Sequence, residues 1–417
     1  MITAKDRDRL RSVAADYAAI ANSDEMNARR TIWRQSNQLE KRTVPFQIED
    51  NGTFFADLTP IPQCEDAFAR GLEQGMLRAI SNYTLIDDDR VFPPYCGINW
   101  IIGRPNICPD LQLTHAADAT GRMLGYESNT PLADLETGLE KLRRAPFTID
   151  RDGTYRHLEL AEEWIGDLLP VKIVNGTTLY AGTGMAGKVV LMMGMDKFYM
   201  AMIDQPGNVH RLFEFLATEG SDFLDWLEAE DLIKPNSGEY CVGSGSCGLT
   251  DELPRREIKS GERMLAKDCW AFQEAQEAVG ISAEMYAEFI HPYQRRTGDR
   301  YGLLYYGCCE PVHEHWPIIK NFKNLRKITV SPWCDQASIA ESVGRDLVLS
   351  RKPQPLKLCG ETFRPTEFED DIRETLDIAS DNFVELIFRD TCTLCGDMKD
   401  RLGEACGILR RLIGRPR

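Results

Sequence analysis

From residue 91 to the C-terminus, short apolar runs alternate with amphipathic helical stretches, and that alternation limits the folds open to the chain. Candidate strands fall at residues 91–100, 170–174, 239–242, 301–307, 327–331, 346–349 and 384–389. Helical stripes lie between several of them. In residues 208–228, Leu212, Leu216, Phe223 and Leu227 share one face. Strands apolar on both faces belong to parallel sheets covered by helices, whereas half-solvated strands alternate. A dinucleotide-binding sheet would carry a G-x-G-x-x-G turn after its first strand, and no such turn follows the first candidate strand here. The pattern therefore predicts an α/β chain, a (β/α)8 TIM barrel over residues 91–417. Residues 144–166, charged and without a clear period, read as a surface excursion.

Residues 1–90 read as a mainly helical extension packed on the barrel. Leu10, Val13, Ala14, Tyr17 and Ile20 give residues 6–21 a helical spacing. Ser23-Asp24-Glu25 is a start signal for a second helix, to about residue 39. The run PFQIED resembles a short strand, and Phe68, Leu72, Met76 and Ile80 mark a third helix over residues 65–81.

Composition narrows the partners. A formal charge of −16 argues against nucleic acid, which needs a basic face. The longest strongly apolar run, residues 189–195, is far shorter than the roughly 20 residues of a membrane span. The first residues carry no apolar leader, so the expected location is cytoplasmic. In that setting the 13 cysteines read as free, metal-bound or catalytic rather than disulfide-bonded.

Chemistry in a barrel gathers at the C-terminal ends of its strands. That rule selects Tyr95 and Trp100 from the first run, Asn175 after the second and Glu239 with the third. Cys308, Cys309 and Glu310 follow the fourth, Trp333 and Asp335 the fifth, Arg351 and Lys352 the sixth, and Cys392 the last. Residues 308–315 are the densest stretch, with two cysteines, two glutamates and two histidines in eight positions. Cys308, with Cys309, Glu310, Glu239 or a histidine of the loop, is a candidate ligand for one zinc ion, a metal that favours thiolates and keeps a position open in catalytic sites. Glu239, Asp335 and Glu310 are candidates for acid/base work. Tyr95, Trp100, Tyr305, Tyr306 and Trp333 could wall a flat or methylated ligand, although large aromatics also fill cores. Cys392-Thr-Leu-Cys395 is a lone C-x-x-C, a weak signal without a second pair.

Three pieces of the chain resemble the uroporphyrinogen decarboxylase superfamily. Residues 186–210, AGKVVLMMGMDKFYMAMIDQPGNVH, are similar to its paired helices ending in D-x-P-x-x-V-H. Residues 280–293, GISAEMYAEFIHPY, resemble its helix ending in P-Y. Residues 306–311, with Ser331-Pro332, resemble its H-x-C-G strand and loop, with Tyr306 standing where the family has His. The resemblance implies a barrel in which Gln273 contacts substrate, and a choice between two activities. The decarboxylases receive their substrate on an arginine-rich N-terminal loop. This chain has none, which removes the means of binding many carboxylates. The other branch implies a zinc-assisted methyltransferase, with Cys308 and Cys392 at ligand positions.

The function expected on that basis is transfer of a methyl group between a small methylated substrate or thiol and a corrinoid protein. The cobalamin belongs to the partner, because the chain lacks an Asp-x-His-x-x-Gly run. Self-association as a homodimer is compatible with this reading. Two rivals stay open: a metal-independent decarboxylase or lyase on a small carboxylate or porphyrin-like substrate, with Arg351 and Lys352 holding it, and a non-catalytic ligand-binding barrel.

Overall fold

The computed structural model describes residues 2–49, 58–117, 123–391 and 398–415. Two helices, Ala4–Ala21 and Asp24–Asn37, open the chain. Thr3 and Ser23 cap them, their hydroxyls accepting from the amides of Asp6 and Met26. Strand β1 (Phe46–Ile48) and helix Ala67–Leu85 follow. Next come β2 (Cys96–Asn99), β3 (Ile101–Gly103), β4 (Leu113–Ala117), β5 (Met123–Ser128), β6 (Thr148–Asp150) and β7 (Val171–Val174). The second half carries β8 (Trp270–Gln273), β9 (Leu303–Tyr306), β10 (Leu325–Val330), β11 (Val348–Arg351) and β12 (Phe383–Phe388).

Six strands form one parallel sheet in the order β1-β12-β11-β10-β9-β8. The first strand of the chain thus lies beside the last, and β1 brings the N-terminal region into the main sheet. β2 and β7 form a separate parallel pair. The expected closed eight-stranded barrel is therefore replaced, in ladder bonding, by a six-stranded sheet and a two-stranded one.

The reason lies at the two sheet edges, where side chains take the place of neighbouring strands. The outward amides of β1, Phe46 and Ile48, donate to the carboxylates of Asp89 and Asp88 at 2.9 and 2.8 Å. At the other edge, the amide of Trp270 donates to Asn236 Oδ1 at 2.8 Å, and Asn236 Nδ2 donates back to the Trp270 carbonyl at 3.0 Å. Buried backbone groups need partners, and these edges find theirs without a further strand.

Several expectations are corrected. Residues 239–242 form no strand. They enter a tight loop in which the backbones of Cys241 and Cys247 pair antiparallel, both thiols free, and Val242 N–H donates to the Ser246 carbonyl. Gly243 has φ +108°, and a Cβ there would strike the Phe272 ring, so the loop needs glycine at that point. Residues 144–166 are not irregular. They hold β6 and helix Arg151–Ile165, which buries Thr154, Ala161, Trp164 and Ile165 behind an Asp150 cap. Residues 282–293 are split between helices Ala283–Phe289 and His291–Gly298. β8 had no counterpart among the expected strands.

The main sheet has two different faces. On the outer face Tyr306, Ile328, Val330, Leu349, Leu386 and Phe388 join the largest apolar core, with helix residues such as Ile339, Phe368 and Ile372. The inner face carries Trp270, Phe272, Leu303 and Tyr305, which cluster together. It also carries Lys327 and Glu385, both with 0% side-chain exposure and paired at 2.8 Å. Helix Asp24–Asn37 covers this end of the inner face. Lys327 Nζ lies 5.4 Å from the Trp33 ring centre, and Asn37 Nδ2 donates to the carbonyls of Cys247 and Leu249. Among the described residues, no helix is long and apolar enough to cross a membrane.

Candidate functional site

Over the C-terminal ends of β9, β10, β11 and β12 lies a cavity of about 230 Å³. Each strand supplies part of its lining: Cys308 and Cys309 after β9, Pro332 and Trp333 after β10, Lys352 to Leu356 after β11, Arg389 and Asp390 after β12. Ser244, from the 243–248 loop, also reaches it. The helix beneath fills the N-terminal end of the inner face, so this mouth is where a small molecule can meet the inner face of the sheet.

The two cysteines differ. Cys308 is half-buried and Cys309 exposed, with their sulfurs 3.7 Å apart. The hydrogen bond from the Cys309 thiol holds the Cys308 thiol down at about 7, with help from Arg389, against burial and the nearby Glu310. The same hydrogen bond pushes Cys309 up. Cys308 is therefore the nucleophilic sulfur of the pair near neutral pH.

Behind them, Glu310 is buried and accepts from the amides of Cys308 at 2.8 Å and Ala275 at 2.9 Å. It fixes the turn after β9 against the turn after β8. Burial pushes its carboxyl up, and burial with the nearby Glu310 pushes Glu274 well up. The pair forms an acidic wall held away from water rather than a lining of the cavity.

Lys352 is the buried cation of the site, with 3% exposure. Its Nζ donates to Tyr305 Oη at 2.7 Å and Ser350 Oγ at 2.6 Å. Tyr305 Oη is held in turn by Thr329 at 2.9 Å. Burial lowers the Lys352 ammonium to about 7, against the pull of Glu385. Arg389 keeps its place through Glu49 at 3.1 Å. Gly245, at φ +78°, leaves room for it, since a Cβ there would crowd the Arg389 side chain.

The structure brings Cys308, Cys309, Lys352 and Trp333 to this cavity, Trp333 on the rim at 66% exposure. It places the other candidates elsewhere. Tyr306 points to the outer face, with its hydroxyl 2.7 Å from that of Tyr286. Arg351 also lies outward, donating to the Ser331 carbonyl at 2.8 Å, so it does not join Lys352 in holding one ligand. Gln273 donates to Thr297 Oγ1 at 3.2 Å under the helices. Asp335 caps helix Gln336–Val343 by accepting from the Ser338 amide. Asn175 closes its own turn, accepting from Thr177 and donating to the Leu232 carbonyl. Trp100 is buried, with Arg151 and Lys234 over its ring.

Glu239 and Tyr95 line a different, larger cleft of about 530 Å³ alongside β7. There Glu239 is paired with Arg30 at 2.6 Å, and the Tyr95 and Tyr240 hydroxyls bond to each other. Cys392 and Cys395 lie outside the described residues. Sequence reasoning selects Lys352 and Tyr305, and misses Ser350 and Arg389.

A catalytic zinc ion takes three protein ligands. Cys308 and Cys309 offer two thiols. Among the described residues, no group of three His, Cys, Asp or Glu side chains is placed to hold a metal ion. Glu310 is turned to backbone amides, His315 bonds to the Ile281 carbonyl and His313 accepts from the Asp335 amide. The described donors are thus one short of such a site.

No family model and no curated protein sequence matches the chain. Its fold does match a solved structure, a methyltransferase from Methanosarcina mazei, over 92% of this chain and 98% of that one, with a TM-score of 0.51 and 10% identity. At that identity the likeness concerns the fold.

Proposed function

We propose that this chain is a methyltransferase that works on a small methylated substrate held in the cavity over Cys308. The observation carrying this reading is the Cys308–Cys309 thiol pair, sulfurs 3.7 Å apart, placed at the C-terminal mouth of a parallel sheet. The fold likeness to a protein named a methyltransferase supports it. In such a transfer the acceptor's electron pair forms a bond to the methyl carbon while the carbon–heteroatom bond breaks, its electron pair staying on the heteroatom. The walls around Cys308 exclude water from that exchange, and Trp333 covers the methyl group from the rim.

The other partner in the transfer is a corrinoid protein docked over the mouth, where Trp333 and Leu356 are exposed. The superfamily resemblance points the same way, toward the corrinoid-dependent branch and its zinc. No step is assigned here to a metal, because the described donors do not complete its site.

The test uses the purified chain with cob(I)alamin and a panel of methoxy, methylamino and methylthio donors, and methylcobalamin with thiols for the reverse direction. Methylcobalamin formation or loss is read in the visible spectrum, and metal content is measured on the same sample. Transfer by the parent chain and its loss in Cys308→Ser is the expected result. Equal rates with and without the protein, in both directions, reject the reading.

A further inference from the structure

The cation pair in the cavity is not explained by methyl transfer alone. Lys352 is 3% exposed, yet both acceptors of its Nζ are neutral hydroxyls, Tyr305 Oη and Ser350 Oγ. Among the described residues no carboxylate lies within 4 Å of it. The nearby Glu385 gives one oxygen to Lys327 at 2.8 Å; its other oxygen is buried without a hydrogen-bond partner and does not reach Lys352. Arg389, across the cavity, spends its Nε on Glu49 and makes no hydrogen bond through its Nη atoms among the described residues. A buried ammonium with only neutral partners is costly, and buried charges are ordinarily paired. The charged groups around Lys352 are Glu385, Lys327, Arg389 and Cys308, together with the Tyr305 phenol. Asp390 is the one carboxylate in the lining, and its amide is held by Glu49 at 3.0 Å.

Pro332, Trp333, Pro353, Pro355 and Leu356 make apolar walls, and Ser244, Gln354 and the two cysteines complete the lining. The cavity therefore has a cationic floor and apolar walls, beside a sulfur.

From this geometry we infer that the cavity is an anion subsite, with Lys352 and Arg389 receiving the oxyanion head of a small substrate whose short apolar stem lies against Trp333 and the prolines. This rests on the proposed methyl transfer and names its substrate class: a methylated compound bearing a carboxylate, or a phosphonate or sulfonate in its place. The head is anchored at the floor, so the stem lies along the walls beside Cys308. The lowered ammonium of Lys352 fits the same picture, since an anion arriving beside it restores the charged form.

Binding is measured by calorimetry on the full chain without any methyl acceptor, so the result does not depend on turnover. The probes are 3-(methylthio)propionate, its phosphonate and sulfonate counterparts, and the uncharged 3-(methylthio)propionamide. At least one acid is expected to bind about tenfold or more tighter than the amide, the effect of one charge-assisted hydrogen bond. That preference is expected to vanish in Lys352→Met and to persist in Lys352→Arg, with thermal melts checking that both variants fold. Titration at pH 8 in buffers of different ionisation heat should show proton uptake on binding by the parent and none by Lys352→Met. An amide as tight as the acids, no binding by any acid at millimolar concentration, or a preference unchanged in Lys352→Met overturns the inference. Acid binding without methyl transfer from any donor would count against the proposed function alone. Transfer from neutral donors without acid binding would count against the subsite alone.

Discussion

Replacing Cys309 by alanine removes the hydrogen bond that leads in holding Cys308 at about 7 and leaves Arg389 in place. If the whole effect came from that bond, the Cys308 thiol would return to 9.0, its ordinary value. The thiolate fraction at pH 7 would then fall from half to one in a hundred, about fifty-fold. A less acidic thiolate is also a better nucleophile, by about eight-fold over two units. The alkylation rate at pH 7 should thus drop only about six-fold, while at pH 10 the variant should overtake the parent. The assay is iodoacetamide labelling from pH 5 to 10, quenched and read peptide by peptide so that the exposed Cys241 does not confuse the signal. The midpoint of the Cys308 profile is the readout, expected near 7 in the parent and higher by one to two units in the variant, a rough range for loss of the leading hydrogen bond. Unchanged midpoints, with no crossing of the two curves, would show that Cys309 does not acidify its neighbour.

Other consequences can be checked separately. Lys327→Met strands the buried Glu385 and should cost about 3–5 kcal/mol in urea unfolding, whereas Lys327→Met with Glu385→Leu should recover most of that loss. Burial lowers His291 to about 4, so the unfolded chain binds its proton first as pH falls; up to about 3 kcal/mol of stability present above pH 6.5 should disappear by pH 4, and His291→Gln should flatten that part of the stability–pH curve. Ser23→Ala removes a helix cap and should cost about 1 kcal/mol without touching the cavity. Trp333→Ala, exposed at the rim, should change melting little and weaken binding of the methylthio acids.

Much of the site was readable because strand ends announce themselves. The run before Cys308 is apolar and the residues after it are not, so the mouth could be placed by counting strands. Parity was not readable. Both faces of β9 and β11 are buried, and a strand with no polar face does not say which side chains point inward. The sequence selects Tyr305 with Tyr306 and Arg351 with Lys352, and only the structure separates each pair: Tyr305 and Lys352 face the cavity network, Tyr306 and Arg351 the outer face. The sequence does not show the hydroxyl setting of Lys352 either: its Nζ donates to Tyr305 and Ser350, and Thr329 stands behind Tyr305, so the network draws on three strands. β8 escaped notice for a different reason: it is four residues long and follows a long irregular stretch with no periodic signal. Residues 239–242 misled in the opposite direction, since Tyr240 and Val242 look strand-like but the glycines behind them turn the chain back.

The side-chain closure of the sheet edges also decides how this molecule behaves beside its own copies. An open edge is a template onto which another chain can add a strand, the usual first step of aggregation. Here Asp88 and Asp89 occupy the donors of β1, and Asn236 occupies both backbone groups of Trp270. An incoming strand would have to expel two buried carboxylates from one end or an amide from the other, and neither could follow it into the sheet. The protein thus protects itself from polymerising with three polar side chains, and without the last ladder bonds of a closed ring.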